Sequence, residues 1–186
     1  MPNMILQNHK TAEHLRYPIG KFHQPEIITR AILSDWIAEI HAFPSRLIRE
    51  VQNMSDEQLD TPYRKDGWTI RQVVHHCADS HMNGFIRLKL TLTENEPTIK
   101  PFYEELWAVL GDSQSMPIAP SLKMLEGIHE RWSVLLYQLT PDQCQRFFIH
   151  PEQGIIRIDE MVGLYAWHCN HHLAHIIALK QQYRWT

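Results

Sequence analysis

The sequence predicts an all-α protein, a four-helix bundle with long connections and a short irregular or hairpin segment before the last helix. Three observations carry this. Four long stretches repeat apolar residues every three or four positions, the spacing of one helical face. The segments between them are long and punctuated by proline and glycine. Strand-like alternation is almost absent, so the four stripes must bury against one another.

Residues 1–25 are polar and interrupted by Pro18, Gly20 and Pro25. They read as an extended N-terminal arm that packs on the body through Tyr17, Ile19 and Phe22. Residues 26–186 read as a single metal-binding bundle domain. Its first helix is expected from about Glu26 to Asn53, with Ile32, Trp36, Ile40, Phe43, Leu47 and Val51 as its stripe. Pro44 lies inside and is expected to kink or break it. Ser55 with Gln58 resembles a capping box for a short turn. Pro62 and Gly67 mark a connector. Thr69 then caps a second helix reaching about Thr93, with Ile70, Val73, Val74, Cys77, Phe85 and Leu88 inward. Pro97 and Pro101 mark a loop, and residues 102–110 suggest a short helix. The third long helix is expected at about Ser121 to Leu139, with Leu122, Leu125, Ile128, Trp132, Leu135 and Leu136 inward. Phe147 to Ile158 holds Pro151 and Gly154 among β-favouring residues, a small hairpin or irregular loop. Asp159 caps the fourth helix, which ends near Gln182.

The chain has 186 residues, 44% apolar and 21% charged, enough for one domain with a real core and cramped for two. Its net charge of −3 argues against nucleic-acid binding, which needs a basic face. Cys77, Cys144 and Cys169 are odd in number and lack paired spacing, so no disulfide framework is expected and a reducing cytoplasm suits the chain. All three read as packing residues. Met1 to Lys10 lacks the apolar core of a signal peptide. No stretch of about 20 apolar residues exists, so no membrane span is expected.

The most informative stretch is Trp167 to His175, which places four of the thirteen histidines in nine residues of expected helix. His171 and His175 are four apart and share a helical face, the spacing at which two imidazoles grip one metal ion. On a 3.6-residue wheel His168 and His175 flank His171, His172 is rotated away by about a quarter turn, and Cys169 lies nearly opposite. One helix cannot complete a metal site. A second cluster, His75, His76 and His81, lies on the second helix, and periodicity does not choose among them. One histidine from there and two from the last helix would give a three-histidine site. Such a site leaves the ion its charge, which lowers the pKa of a bound water to near 7 and deprotonates a bound thiol. It would serve hydrolysis by hydroxide or transfer by thiolate. The motif H-E-x-x-H is absent, as are G-x-S-x-G, Walker and dinucleotide-binding glycine patterns. Asp79 is a candidate base.

Several segments carry a resemblance: Leu59-Asp60-Thr61-Pro62-Tyr63-Arg64, then Gly67-Trp68-Thr69-Ile70-Arg71-Gln72-Val73-Val74-His75-His76, then Ala78-Asp79-Ser80-His81-Met82-Asn83. Tyr17-Pro18-Ile19-Gly20, Gly163-Leu164-Tyr165, Trp167-His168 and His171-His172-x-Ala174-His175 fit the same pattern. Together they resemble the YfiT branch of the DinB-like superfamily, from about Tyr17 to the end, with Cys169-Asn170 as a departure at a non-ligand position. The resemblance implies a four-helix bundle, a homodimer, and one divalent metal per chain held by His76, His171 and His175 with water in the remaining positions. Zinc is the first expectation, since all-imidazole sites with an open position suit it; nickel, cobalt, copper or iron fit the same ligands. It further implies an enzyme, either a transferase that activates a small bacillithiol-like thiol for attack on an electrophile, or a hydrolase acting on an amide or ester. A non-catalytic metal-binding dimer is a third reading. Arg64, Trp68 and Arg87, with Tyr63, are expected to shape the pocket, an arginine holding a carboxylate of the cosubstrate.

Overall fold

The computed structural model describes residues 13–185; residues 1–12, the start of the expected arm, lie outside them. The elements in order are α1 (Arg30–Val51), α2 (Asp56–Leu59), α3 (Ile70–Thr93), α4 (Glu104–Trp107), α5 (Gly111–Ser115), α6 (Ala119–Tyr137), α7 (Pro141–Gln145), β1 (Phe147–His150), β2 (Gly154–Arg157) and α8 (Ile158–Tyr183). The long helices α1, α3, α6 and α8 form a four-helix bundle. Helices α1 and α3 each pack on both α6 and α8, so α1 faces α3 across the bundle and α6 faces α8. Consecutive long helices α1 and α3 are thus diagonal partners, which their long connection permits.

The caps set where each helix begins. Thr29 takes the N-cap of α1 and accepts from Ile32 N–H at 3.2 Å, so the helix starts at Arg30 rather than near Glu26. Ser55 with Gln58, and Thr69 with Gln72, form reciprocal capping boxes at α2 and α3. At α8 the cap position falls on Arg157, whose N–H donates to Glu160, while Asp159 lies inside the first turn. Pro44 does not break α1. Proline has no N–H for the carbonyl four residues earlier, so the helix leaves the Ile40 carbonyl free. That carbonyl faces the bundle interior and accepts from His129 on α6 at 2.5 Å.

The core runs the length of the bundle through Phe43, Leu47, Val73, Leu88, Leu125 and Ile176, all fully buried. The expected irregular segment is an antiparallel hairpin, Phe147 opposite Arg157 and His150 opposite Gly154, which turns at Gly154 with φ +79°. Arg146 ties it to α3 by donating to the carbonyls of Thr91 and Glu94 at that helix's end. The arm lies on α8: Phe22 meets Trp36 and Trp167, and Trp167 Nε1–H donates to the Gly20 carbonyl at 3.1 Å. Ile19, expected to pack inward, is 45% exposed because the turn at Gly20 carries it outward.

Gly84 marks the closest approach of α3 to its neighbours. A Cβ there would lie 2.5 Å from Tyr165 Cζ and 2.8 Å from Trp132 Cη2, both on buried rings with no room to retreat. Gly84→Ala should therefore destabilise the fold by about 1–3 kcal/mol despite alanine's better helix propensity. A thermal melt reads this as a fall of roughly 2–4 °C per kcal/mol; an unchanged or raised midpoint would contradict the packing.

Candidate metal centre

Helix α3 carries His75, His76 and His81, of which His76 lines the site, and α8 brings His168, His171, His172 and His175. The Thr69–Gln72 box fixes the start of α3, and Arg71, nearly fully buried, braces it by bonding Asp60, Asp56 and the Met116 carbonyl. The next turn then points His76 across to α8, beneath the Trp68 ring at 4.6 Å.

Two groups of imidazoles bring a ring nitrogen of each member within 4.8 Å of the others: His76 with His168 and His172, and His171 with His172 and His175. The first draws on two helices and the second on α8 alone. His76 Nε2 and His168 Nε2 lie 3.2 Å apart. Two nitrogens on one tetrahedral zinc, each about 2.0–2.1 Å from it, stand about 3.3 Å apart. The trio expected from the resemblance, His76, His171 and His175, is divided between the two groups. His172, expected to turn away, belongs to both: its ring centroid lies 4.8 Å from that of His76 and 4.4 Å from that of His168. A quarter turn on the wheel is too small to take a long imidazole out of a cluster that spans about 100° of the helix.

The remaining ring nitrogens separate the roles. His75 donates Nε2–H to the Met116 carbonyl at 3.1 Å and holds the Ser121 hydroxyl at 2.7 Å, so it is spent on tying α3 to the α5–α6 connection. His81, fully buried, lies between His168 and His129, with nitrogen separations of 3.0 and 2.6 Å. His175 donates Nε2–H to the Arg16 carbonyl at 3.1 Å. The Nδ1 atoms of His171, His172 and His175 are buried and have no hydrogen-bond partner. Neutral imidazoles with bare, converging nitrogens are what a borderline divalent ion takes as ligands, so the residues present fit such an ion.

These imidazoles line a cavity of about 350 Å³, with Tyr63, Arg64 and Trp68 on its wall. Arg87 lines an adjoining cavity of about 460 Å³, which shares His168, Glu104 and Glu105 with the first. The Nε atoms of Arg64 and Arg87 are buried without a partner. Gly67 makes room for Arg64, since a Cβ there would meet Arg64 Cγ at 2.6 Å. Asp79 lines neither cavity; burial and the neighbouring Asp112 raise its pKa to about 6. Sequence reasoning missed Glu104 and Glu105, which sit at the junction of the cavities, and Glu104 is raised by desolvation and then by Glu105. Their one signal is a pair of acids opening a short helix in a proline-flanked loop. The three cysteines are buried, and burial raises each thiol above its ordinary pKa, so none is poised as a nucleophile.

Residues 39–176 match the family described as the DinB superfamily. A protein of Bacillus mycoides (strain KBAB4), named "putative metal-dependent hydrolase", is 51% identical over 171 residues, which span 92% of this chain and 98% of that one. A relative of the same name from Bacillus cereus (strain 03BB102) is 50% identical over the same spans. The solved structure of YfiT from Bacillus subtilis, described as "a probable metal-dependent hydrolase with an unusual four-helix bundle topology", superposes with a TM-score of 0.90. It is 46% identical and covers 93% of this chain and 99% of its own. Among the described residues no helix is long and apolar enough to cross a membrane.

Burial keeps the cluster neutral. It pushes His76 and His171 down to about 3 and His175 to about 4, with neighbouring imidazoles or Arg64 adding to the fall. His168 and His172 lie well below 6.5 for the same first reason, burial. An unfolded histidine takes up a proton below about pH 6.5, and these do not while the chain is folded, so falling pH favours unfolding. Stability is full above pH 6.5 and declines toward pH 4, by about 1.4 kcal/mol per pH unit for each such histidine. The midpoint of metal-free protein should fall steeply from pH 7 to pH 5; a flat profile over that range would contradict burial of neutral imidazoles.

Proposed function

The chain belongs to the DinB superfamily, and from that membership and its converging imidazoles we propose that it is a metal-dependent hydrolase whose divalent ion is held by His76 from α3 with His171 and His175 from α8. The observation that carries this is the buried, partnerless Nδ1 on each of His171 and His175, which line one cavity with His76. What supports this set over His76, His168 and His172 is that partnerless nitrogens lie on His171 and His175, whereas both ring nitrogens of His168 already meet other imidazoles. Zinc is the first candidate, because three imidazoles with a position left open suit it. When bound, the ion would lower the pKa of a coordinated water and polarise the carbonyl under attack.

The chain's own residues supply the rest. Glu104, its pKa raised at the cavity junction, stands where it would take and return a proton. Arg64 and Arg87 offer unpartnered Nε–H groups to a carboxylate or developing oxyanion of the substrate. Trp68 and Tyr63 wall the imidazoles from bulk water, at 4.6 Å from His76 and 4.0 Å from His175. A second reading, thiol S-transfer, is favoured by the adjoining cavities that meet at His168, which give two reactants separate room. Its thiol would come from outside, since the chain's own are buried.

Elemental analysis of purified variants tests the ligand set. His76→Ala, His171→Ala and His175→Ala should lose the metal, and His172→Ala should keep most of it. Loss in His168→Ala and His172→Ala with retention in His171→Ala and His175→Ala would move the ion to the neighbouring group of His76, His168 and His172. Turnover of amide or ester substrates by the metal-loaded enzyme should need no added thiol; strict dependence on one would replace hydrolysis with transfer.

A further inference from the structure

The cavity of about 460 Å³ beside the metal centre has a chemistry of its own. It is the size of a small-molecule site. Its floor is apolar: Phe148 and Met161 are buried, and Ile156 and Leu164 join them. Two hydrogen-bond donors stand in this apolar setting. Arg87, in the C-terminal half of α3, is always charged, and its buried Nε has no partner. His150, the last residue of β1, is the second. Its Nδ1 accepts from the Glu152 N–H at 3.2 Å, and a neutral imidazole carries one ring proton, so that proton is on Nε2. Burial lowers the pKa of His150 and the Arg87 charge lowers it further, which keeps the ring neutral. The same charge acts on Tyr165, whose pKa burial raises and Arg87 pulls back. The guanidinium therefore lies beside both rings, on the cavity that all three line.

Where this cavity opens into the metal cavity the wall is acidic. Glu104 and Glu105 line both spaces, whereas Arg87 and His150 line only the first and so stand back from the junction. The third acid on the wall, Glu152, is exposed on the hairpin turn. Opposite charges with an apolar floor between them match an amino acid better than a simple aromatic or fatty acid. We propose that this cavity is the subsite for the amine half of the substrate, and that this half is an amino acid. Its carboxylate rests on Arg87 and His150, its side chain on Phe148, Met161 and Leu164, and its nitrogen at Glu104 and Glu105. The substrate class is then an N-acyl amino acid or a short peptide with a free carboxyl end. This rests on the reading of the chain as a hydrolase. In the reaction the oxygen of water bonds to the acyl carbon and the C–N bond breaks. The departing nitrogen takes with its electron pair the proton that Glu104 received from that water. The remaining proton of the acyl product then passes to the amine, giving a carboxylate and an ammonium, and the two glutamates favour the ammonium.

Calorimetry with L-phenylalanine and L-phenylalaninamide tests the subsite without turnover. Phenylalanine should bind zinc-loaded and metal-free protein alike, and the amide, which lacks the carboxylate, about 10–100-fold more weakly. Arg87→Gln should lose a similar factor for phenylalanine while keeping the zinc content of the wild type, and Arg87→Lys should recover part of it. No binding of phenylalanine, equal affinity of the wild type for the two compounds, or full affinity in a folded Arg87→Gln would overturn the subsite. Zinc-loaded enzyme should cleave the acetyl bond of N-acetyl-L-phenylalanine in preference to that of N-acetyl-L-phenylalaninamide. The preference should lie in KM and disappear in Arg87→Gln. Equal cleavage of both would overturn the substrate class and leave hydrolysis standing. Cleavage of neither, with carboxylate-dependent binding intact, would overturn the amide reaction and leave the subsite.

Discussion

Burying imidazoles without charge is the constraint on which the interior of this bundle depends. Each neutral ring brings one N–H and one lone pair, and a buried ring nitrogen left without a partner costs about 1–3 kcal/mol. The line from Ile40 through His129 and His81 to His168 meets that demand with one residue from each long helix. It also explains why a proline is tolerated in the middle of α1: the carbonyl it strands has a donor waiting on α6. Because α1 faces α3 and α6 faces α8 across the axis, only a path through the bundle centre reaches all four.

The centre is divided accordingly. Leu47, Val51 and Leu179 make an ordinary apolar core, while Phe43, Trp132 and Tyr165 enclose the histidine line. In that low-dielectric layer a satisfied hydrogen bond is stronger and an unsatisfied one more damaging, so the polar line specifies one packing of the helices. Beyond it the interior opens toward Tyr63, Trp68 and the arm, where nitrogens on His171, His172 and His175 face a cavity rather than another protein group. The same helix thus passes from closed packing to a site within two turns.

Much of the fold was legible because its signals are local. Apolar spacing located the four helices, Ser55–Gln58 announced its box and Thr69 its cap, to which the structure adds Gln72. The start of α1 was misplaced because Glu26, Ile27 and Ile28 hold nothing that forbids a helix, and only the Thr29 cap excludes them. The site was legible in residue type and in its two helices, yet periodicity did not choose among the imidazoles within each helix. Four imidazoles within an arc of about 100° are sorted by what their second nitrogens meet, and those partners lie far away in sequence. His129 is 48 residues from His81, and His168 is 87 from it. No periodicity joins them. Glu104 was illegible for a similar reason, since a loop residue's place over a cavity depends on the whole path of the chain.

The division between a satisfied line and unsatisfied cluster nitrogens has an energetic meaning. The line stabilises the metal-free fold, whereas each partnerless Nδ1 of His171, His172 and His175 detracts from it. An ion that binds only the folded chain adds stability by mass action, about 2.7 kcal/mol at a hundred times its dissociation constant. The cluster therefore gives up stability in the absence of metal and recovers it on binding, and the line keeps the bundle ordered in between. If the nitrogens aimed at the cavity were satisfied by protein groups instead, the fold would gain stability and lose its capacity to hold an ion. A site for metal in a helical core has to remain incomplete on one side and be fully determined on the other, and in this chain α8 carries both, His168 in the satisfied line and His171 and His175 facing the cavity.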